Sequence, residues 1–170
     1  VFAPSVWDCF SAKAAELCGY RAMLLSGAAV SKGLTGMPDL GLMTADELIY
    51  VTERIADFSP LPLIVDFDEG YGDSPLNVYR NIKRLVRAGA QGFILDDGQG
   101  VRGYERLAYY RGTGKKPYDA MSMDVYLAKI KAALAAVEGT DCVVIARTES
   151  RAVNGFDDAM ERVARAHELG

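Results

Sequence analysis

The chain has 170 residues, half of them hydrophobic, and a formal net charge of −4 at pH 7. That composition is ordinary for a soluble globular domain. No basic stripe points to nucleic acid, and no apolar run approaches the ~20 residues of a membrane span.

The chain begins at Val1 rather than methionine and shows no signal-peptide pattern, as though something had been removed or left out. Residues 11–18 predict a short helix stopped by Gly19. Residues 21–25 predict a strand ending at Ser26 and Gly27. A capping box from Thr44 to Glu47 opens a helix to about Phe58, with Leu48, Val51, Ile55 and Phe58 on its apolar stripe. The next strand ends at Asp66, and Ser74-Pro75 starts a helix with proline in its first turn. Val78, Ile82, Leu85 and Val86 form its buried face, and Gly89 ends it. Residues 91–95 predict a strand ending in Asp96-Asp97. The segment 98–120, at about 20 residues, exceeds a normal connection and reads as a functional loop or lid. Residues 122–137 predict a helix with Tyr126, Ile130, Leu134 and Val137 inward. A strand over 142–146 ends in Arg147-Thr148-Glu149, and a helix over 157–169 is stopped by Gly170.

Four strand–helix units in one direction, with near-continuous apolar strands, predict a parallel sheet covered by helices. No Gly-x-Gly-x-x-Gly sits at a strand–helix turn, which disfavours a dinucleotide fold. The reading is α/β: residues 1–170 as a single domain forming the first half of a (β/α)8 TIM-type barrel, truncated after the fourth unit. Trp7 and the methionines are assigned to the core, and Cys9 and Cys18 are taken as small buried hydrophobes. His167, the only histidine, falls in a last helical turn and is read as solvated. Cys142 completes an odd, unpatterned set of three thiols, which fits a reducing, cytoplasmic setting.

The chemistry is expected at the carboxyl ends of the strands, where parallel α/β folds build their sites. Asp66 and Asp68 stand two apart before a Gly70-Tyr71-Gly72 turn, and residues two apart in a strand share a side. Two carboxylates aimed at one point suit Mg²⁺, which takes one or two of them and fills the rest with water and substrate. The blander alternative makes Asp68 and Asp73 loop-forming aspartates that cap the next helix. Aspartates ending two neighbouring strands and Arg147 ending the next suggest a metal beside an anion clamp, since guanidinium offers a bidentate fork. Alternatively, Arg147 only neutralises the aspartates.

The ordered motifs resemble the isocitrate lyase/phosphoenolpyruvate mutase superfamily. They are Trp7-Asp8-Cys9-Phe10-Ser11-Ala12, Leu25-Ser26-Gly27-Ala28, Gly36-Met37-Pro38-Asp39, the stretch 65–72 around Asp66 and Asp68, 129–133, and Ile145-Ala146-Arg147-Thr148. The resemblance covers essentially the whole chain. It implies a TIM-type barrel, Mg²⁺ (or Mn²⁺) as cofactor, a small carboxylate substrate, no nucleic-acid or membrane partner, and a homo-oligomer, a tetramer. It implies metal roles for Asp66, Asp68 and Asp96, with Asp96 where the family usually has glutamate and Asp97 as the second member of that acidic pair. Substrate contacts fall to Ser26, Gly27, Ala28, Asp66 and Arg147, and catalytic roles to Asp39 and Arg147.

The implied activity is a Mg²⁺-dependent lyase or decarboxylase acting on a small 2-oxo or 2-hydroxy acid. It would cleave a carbon–carbon bond through a metal-stabilised enolate. The cleaving lyases carry a Lys-Lys-Cys-Gly-His segment after the acidic pair, its cysteine a general acid. Here residues 98–106 contain no cysteine. Loss of CO₂ from an oxaloacetate-like acid needs no such proton donor, and Tyr104, Lys115 and Lys116 are the polar lid residues at hand. A phosphonate-handling mutase or hydrolase, or a scaffold without turnover, are the alternatives.

Overall fold

The computed structural model describes residues 2–98, 111, 112 and 119–170. Five strands form one parallel sheet in the order 1-2-3-4-5, so each strand lies beside its predecessor in sequence. They are β1 (Ser5–Val6), β2 (Met23–Leu25), β3 (Leu63–Asp66), β4 (Gly92–Leu95) and β5 (Val143–Ala146). The helices α1 (Cys9–Leu17), α2 (Gly27–Thr35), α3 (Ala45–Phe58), α4 (Pro75–Arg87), α5 (Met123–Val137) and α6 (Phe156–His167) lie between and after them. Parallel neighbours cannot be joined by a hairpin, and crossover helices supply the return path. This is the architecture expected for the first half of a (β/α)8 barrel, with one more strand than the four units counted in sequence.

Local chemistry accounts for the boundaries. Thr44 and Glu47 close a reciprocal capping box on α3, and hydrogen bonds from Thr44 hold the Glu47 carboxyl below its ordinary pKa. Asp8 and Ser11 form the same box on α1. Ser74 caps α4, with Pro75 at its first turn. The core lies between sheet and helices: Met23, Leu25, Val65, Phe67, Phe93 and Leu95 meet Val78, Ile82, Leu85 and Tyr126. Strands β2 to β4 are largely buried, as their apolar sequences predict, whereas β5 keeps Val143 and Ala146 exposed.

Several expectations need correction. β1 has only two residues, too few for a periodic signal, and α2 carries Gly27 and Gly33, poor helix formers. Residues 26–28, read as a turn, are the cap and first turn of α2. Trp7 is 47% exposed, and Met37 and Met160 are also exposed, although Met23, Met43 and Met121 are core. Cys9 and Cys18 are exposed because α1 buries only its alanine face, Ala12 and Ala15. His167 is exposed at the end of α6, as read. The helix packing α5 inward uses Tyr126 and Ile130 as expected and adds Lys129. Most of the lid segment, with Tyr104, Lys115 and Lys116, lies outside the described residues; Gly98 and Ala120 at its ends form an antiparallel bridge.

Candidate active site

The parallel order puts the carboxyl ends of β2, β3, β4 and β5 side by side. Register pairs Leu25 with Val65, Asp66 with Ile94, and Leu95 with Ala146. Ser26, Asp66, Asp96 and Arg147 therefore line one edge of the sheet.

At β2, Ser26 Oγ accepts the Ala29 N–H at 3.3 Å and caps α2. The hydroxyl keeps its own proton to donate, and the first N–H groups of α2, on Gly27 and Ala28, have no partner inside the helix. Gly27 stands against the acidic strand end. A Cβ there would lie 3.3 Å from the Asp66 carbonyl, 3.6 Å from Asp68 Oδ2 and 3.9 Å from Asp66 Oδ2. A side chain there would press on the Asp66 carbonyl, and an oxygen of each carboxylate lies within 4 Å of that point.

Strand alternation does not place Asp68. β3 ends at Asp66, and Asp68 takes a left-handed backbone with φ +51°, followed by Gly70 at +91° and Tyr71 at +54°. Aspartate tolerates this region better than most residues, but each non-glycine still costs on the order of 1–3 kcal/mol. Tyr71 Oη donates to Asp68 Oδ2 at 3.2 Å, and the Asp96 N–H donates to the Asp68 carbonyl at 2.7 Å. Asn81 from α4 donates to the carbonyls of Gly70 and Tyr71, and Lys129 from α5 to that of Glu69. Burial lowers the Lys129 pKa, and the carboxylates of Glu69, Asp73 and Asp96 offset this only in part.

The second acidic pair divides its labour. Asp96 is buried, and its Oδ1 accepts the Gly98 N–H at 2.9 Å. Asp97 is fully buried and turns to β5: Thr148 Oγ1 donates to Oδ2 at 2.6 Å, the Glu149 N–H to Oδ1 at 2.8 Å, and Arg162 Nη1 to Oδ2 at 3.2 Å. Arg162 also holds the Met121 carbonyl and Asp158. Tyr126 Oη donates to the Arg147 carbonyl at 2.9 Å. Burial, with Asp97 and Asp96 nearby, pushes that phenol pKa up, so it stays a donor.

Arg147 is half-exposed. Its Nη1 lies 3.8 Å from Asp66 Oδ1, and its Nη2 bonds Glu149 Oε1. Burial pulls its pKa down, but Glu149, Asp96 and Asp66 outweigh this and leave it above its ordinary value. Both readings of Arg147 thus have a contact: it neutralises acids, and it presents a charged fork at the edge. Asp39 lies half-buried in the connection from α2 to α3 and makes no hydrogen bond or ion pair among the described residues.

Among the described residues, no three carboxylate, imidazole or thiolate groups gather into a metal-holding set. Two convergent carboxylates still match the donor set of a Mg²⁺ ion that keeps waters and takes substrate oxygens. Asp66 and Asp68 fit such an ion.

Residues 1–170 match the phosphoenolpyruvate phosphomutase family model from end to end. The chain belongs to the isocitrate lyase/phosphoenolpyruvate mutase superfamily. Among its relatives here is the 2-methylisocitrate lyase of Escherichia coli K12, 38% identical over 157 residues, or 92% of this chain and 50% of that protein. The oxaloacetate decarboxylase of Paraburkholderia xenovorans is 37% identical over 158 residues, or 93% of this chain and 50% of that protein. The chain spans about half the length of the curated relatives it matches. In structure it resembles 2,3-dimethylmalate lyase, a member of the superfamily, with a TM-score of 0.86 and 32% identity over 99% of this chain and 55% of that one. It also resembles a phosphonopyruvate hydrolase solved with oxalate and Mg²⁺, with a TM-score of 0.84 and 25% identity over 99% of this chain and 54% of that one.

Sequence reasoning gave no site role to Asn81, to Lys129 (quoted only within the motif 129–133), to Ser150, whose hydroxyl donates to Asp158 Oδ2, or to Arg162. Two carried a signal. Lys129 interrupts the apolar face of α5 beside Ile130 and three residues after Tyr126, and Arg162 stands four residues after Asp158.

Proposed function

We propose that the protein containing this chain is a Mg²⁺-dependent carbon–carbon lyase for a small 2-oxo or 2-hydroxy acid, and specifically a decarboxylase of an oxaloacetate-like acid. The observation that carries this reading is the meeting of Asp66 and Asp68 with the start of α2 at Gly27, beside Arg147. Asp66 and Asp68 hold the ion. When bound, the metal supplies Lewis-acid stabilisation for negative charge that develops on the substrate. Arg147 binds an anionic end of the substrate, and the Ser26 hydroxyl with the Gly27 and Ala28 N–H groups binds another at a helix N-terminus. The names of the relatives, 2-methylisocitrate lyase and oxaloacetate decarboxylase, support a small-acid substrate and carbon–carbon cleavage.

Decarboxylation fits the thiols. CO₂ leaves without accepting a proton, and the enolate left behind takes its proton from water, so no cysteine acid is required. Cys142 precedes β5, at the opposite end of the sheet from Arg147, and burial pushes its thiol up to about 11, making it a weak proton donor. Cys9 and Cys18 are exposed on or beside α1. Three free thiols suit a reducing compartment, and we place the enzyme in the cytoplasm. No described helix is long and apolar enough to cross a membrane.

The full-length enzyme with Mg²⁺ should turn over oxaloacetate in a panel with isocitrate, 2-methylisocitrate and phosphonopyruvate. Alkylation of thiols should leave that rate intact, and oxalate should inhibit competitively. Isocitrate-type cleavage that alkylation destroys would sink the decarboxylase assignment. Turnover of phosphonopyruvate alone would favour the second reading, a phosphonate-handling enzyme, which the likeness to phosphonopyruvate hydrolase keeps in view. No turnover of any acid would leave a scaffold without catalysis.

A further inference from the structure

Backbone in the left-handed region persists only where its surroundings over-determine it. In the loop after β3, Asp68, Gly70 and Tyr71 all have positive φ, and the four carbonyls from Asp68 to Tyr71 are all claimed by donors from elsewhere. The Asp96 N–H takes that of Asp68 at 2.7 Å, and Lys129 Nζ takes that of Glu69 at 3.1 Å. Asn81 Nδ2 takes those of Gly70 and Tyr71 at 3.2 and 3.1 Å. The last three carbonyls thus depend on two side chains, one from α5 and one from α4. Both are buried, Lys129 at 3% and Asn81 at 7% exposure, and Lys129 is nowhere near the surface position a lysine normally takes.

We propose that Lys129 and Asn81 are positioning residues for the metal site: they pin the carbonyls of Glu69, Gly70 and Tyr71, and so hold the Asp68 carboxylate beside Asp66. This deepens the metal reading of Asp66 and Asp68 and rests on it. Neither side chain need touch metal or substrate. Tyr71 links the pinned backbone to the carboxylate, because its hydroxyl bonds Asp68 Oδ2 while its carbonyl is held by Asn81.

Charge alone predicts the opposite outcome to positioning. Lys129 lies among Glu69, Asp73 and Asp96, and removing a positive charge there should tighten the binding of a cation. Removing a brace should weaken it.

The test measures Mn²⁺ affinity by the signal of free Mn²⁺ in electron paramagnetic resonance, on the full-length protein and its Lys129→Met, Lys129→Arg, Asn81→Leu and Asp66→Ala variants. Amide hydrogen exchange across residues 68–73 of the metal-free proteins is the second readout. Lys129→Met and Asn81→Leu should each weaken Mn²⁺ binding about 10-fold. They should also speed exchange in 68–73 while leaving α5 protected, and Lys129→Arg should restore both. Unchanged or tighter Mn²⁺ binding in Lys129→Met, with wild-type exchange, would overturn the proposal. If Asp66→Ala binds Mn²⁺ like the wild type, the metal reading fails, and exchange alone then decides whether the brace exists. Should Lys129→Met not fold, Asn81→Leu, which changes no charge, carries both readouts, and no change in either overturns the inference.

Discussion

The two acidic strand ends are built from the same residue type and stand in different surroundings. After β4, Asp97 is fully buried and both of its oxygens are taken by protein donors, from Thr148, Glu149 and Arg162. After β3, Asp66 and Asp68 converge on the start of a helix, with Arg147 at 3.8 Å and a tyrosine hydroxyl orienting one of them. A carboxylate saturated by the protein is a structural fastener. Carboxylates brought together at a helix N-terminus, where electrostatics favours anions, are suited to hold something that arrives from outside.

The contrast breaks most visibly at Asp97. Asp97→Ala leaves the buried Arg162 with Asp158 as its remaining acid, and loss of one partner of a buried pair is expected to cost about 3 kcal/mol. Calorimetry should read that as a fall in Tm of roughly 6–12 °C. A Tm within a degree of the wild type would show that Asp97 is not a fastener. Asp66→Ala should do the reverse. Its Tm should stay within about 3 °C of the wild type, while Mn²⁺ affinity falls by about 100-fold or more. Retained affinity in calorimetric titration would end the metal assignment.

The smallest effect sharpens the same comparison through pH. The Ser150 hydroxyl first, then Arg162 and Asn154, hold the Asp158 carboxyl at about 2, below its ordinary value. Its folded pKa is depressed, so the stability it contributes is present above the unfolded value near ~3.9 and is lost as pH falls from there through about 2. Asp158→Asn should lower stability near neutrality, with the difference from the wild type closing as pH falls from ~3.9 through about 2. An unaltered curve would mean the group does not report on the Arg162 network.

Much of this was legible because periodicity and caps are local. Thr44 with Glu47, and Ser74 with Pro75, marked two helix starts at the residue the structure shows. The convergence of Asp66 and Asp68 was also legible, though for a partly mistaken reason: strand geometry stops at Asp66, and a left-handed turn delivers Asp68. What sequence could not show is which donor reaches which acceptor across long separations. Lys129 binds a carbonyl 60 residues away, and Arg162 an aspartate 65 away. Trp7 failed for another reason, since a large aromatic belongs inside only when some surface covers it, and β1 lies at one side of the described sheet.

The order of the sheet has a consequence for how such a chain can be made. Because strands one to five neighbour one another in the order of translation, each new strand emerging from the ribosome has its sheet neighbour already synthesised. Gly27 is synthesised before Asp66 and Asp68, and both precede the strand bearing Arg147. The helix start at Gly27 and the acidic pair beside it are thus the first parts of this edge to be made in every copy of the protein, and Arg147 is added last.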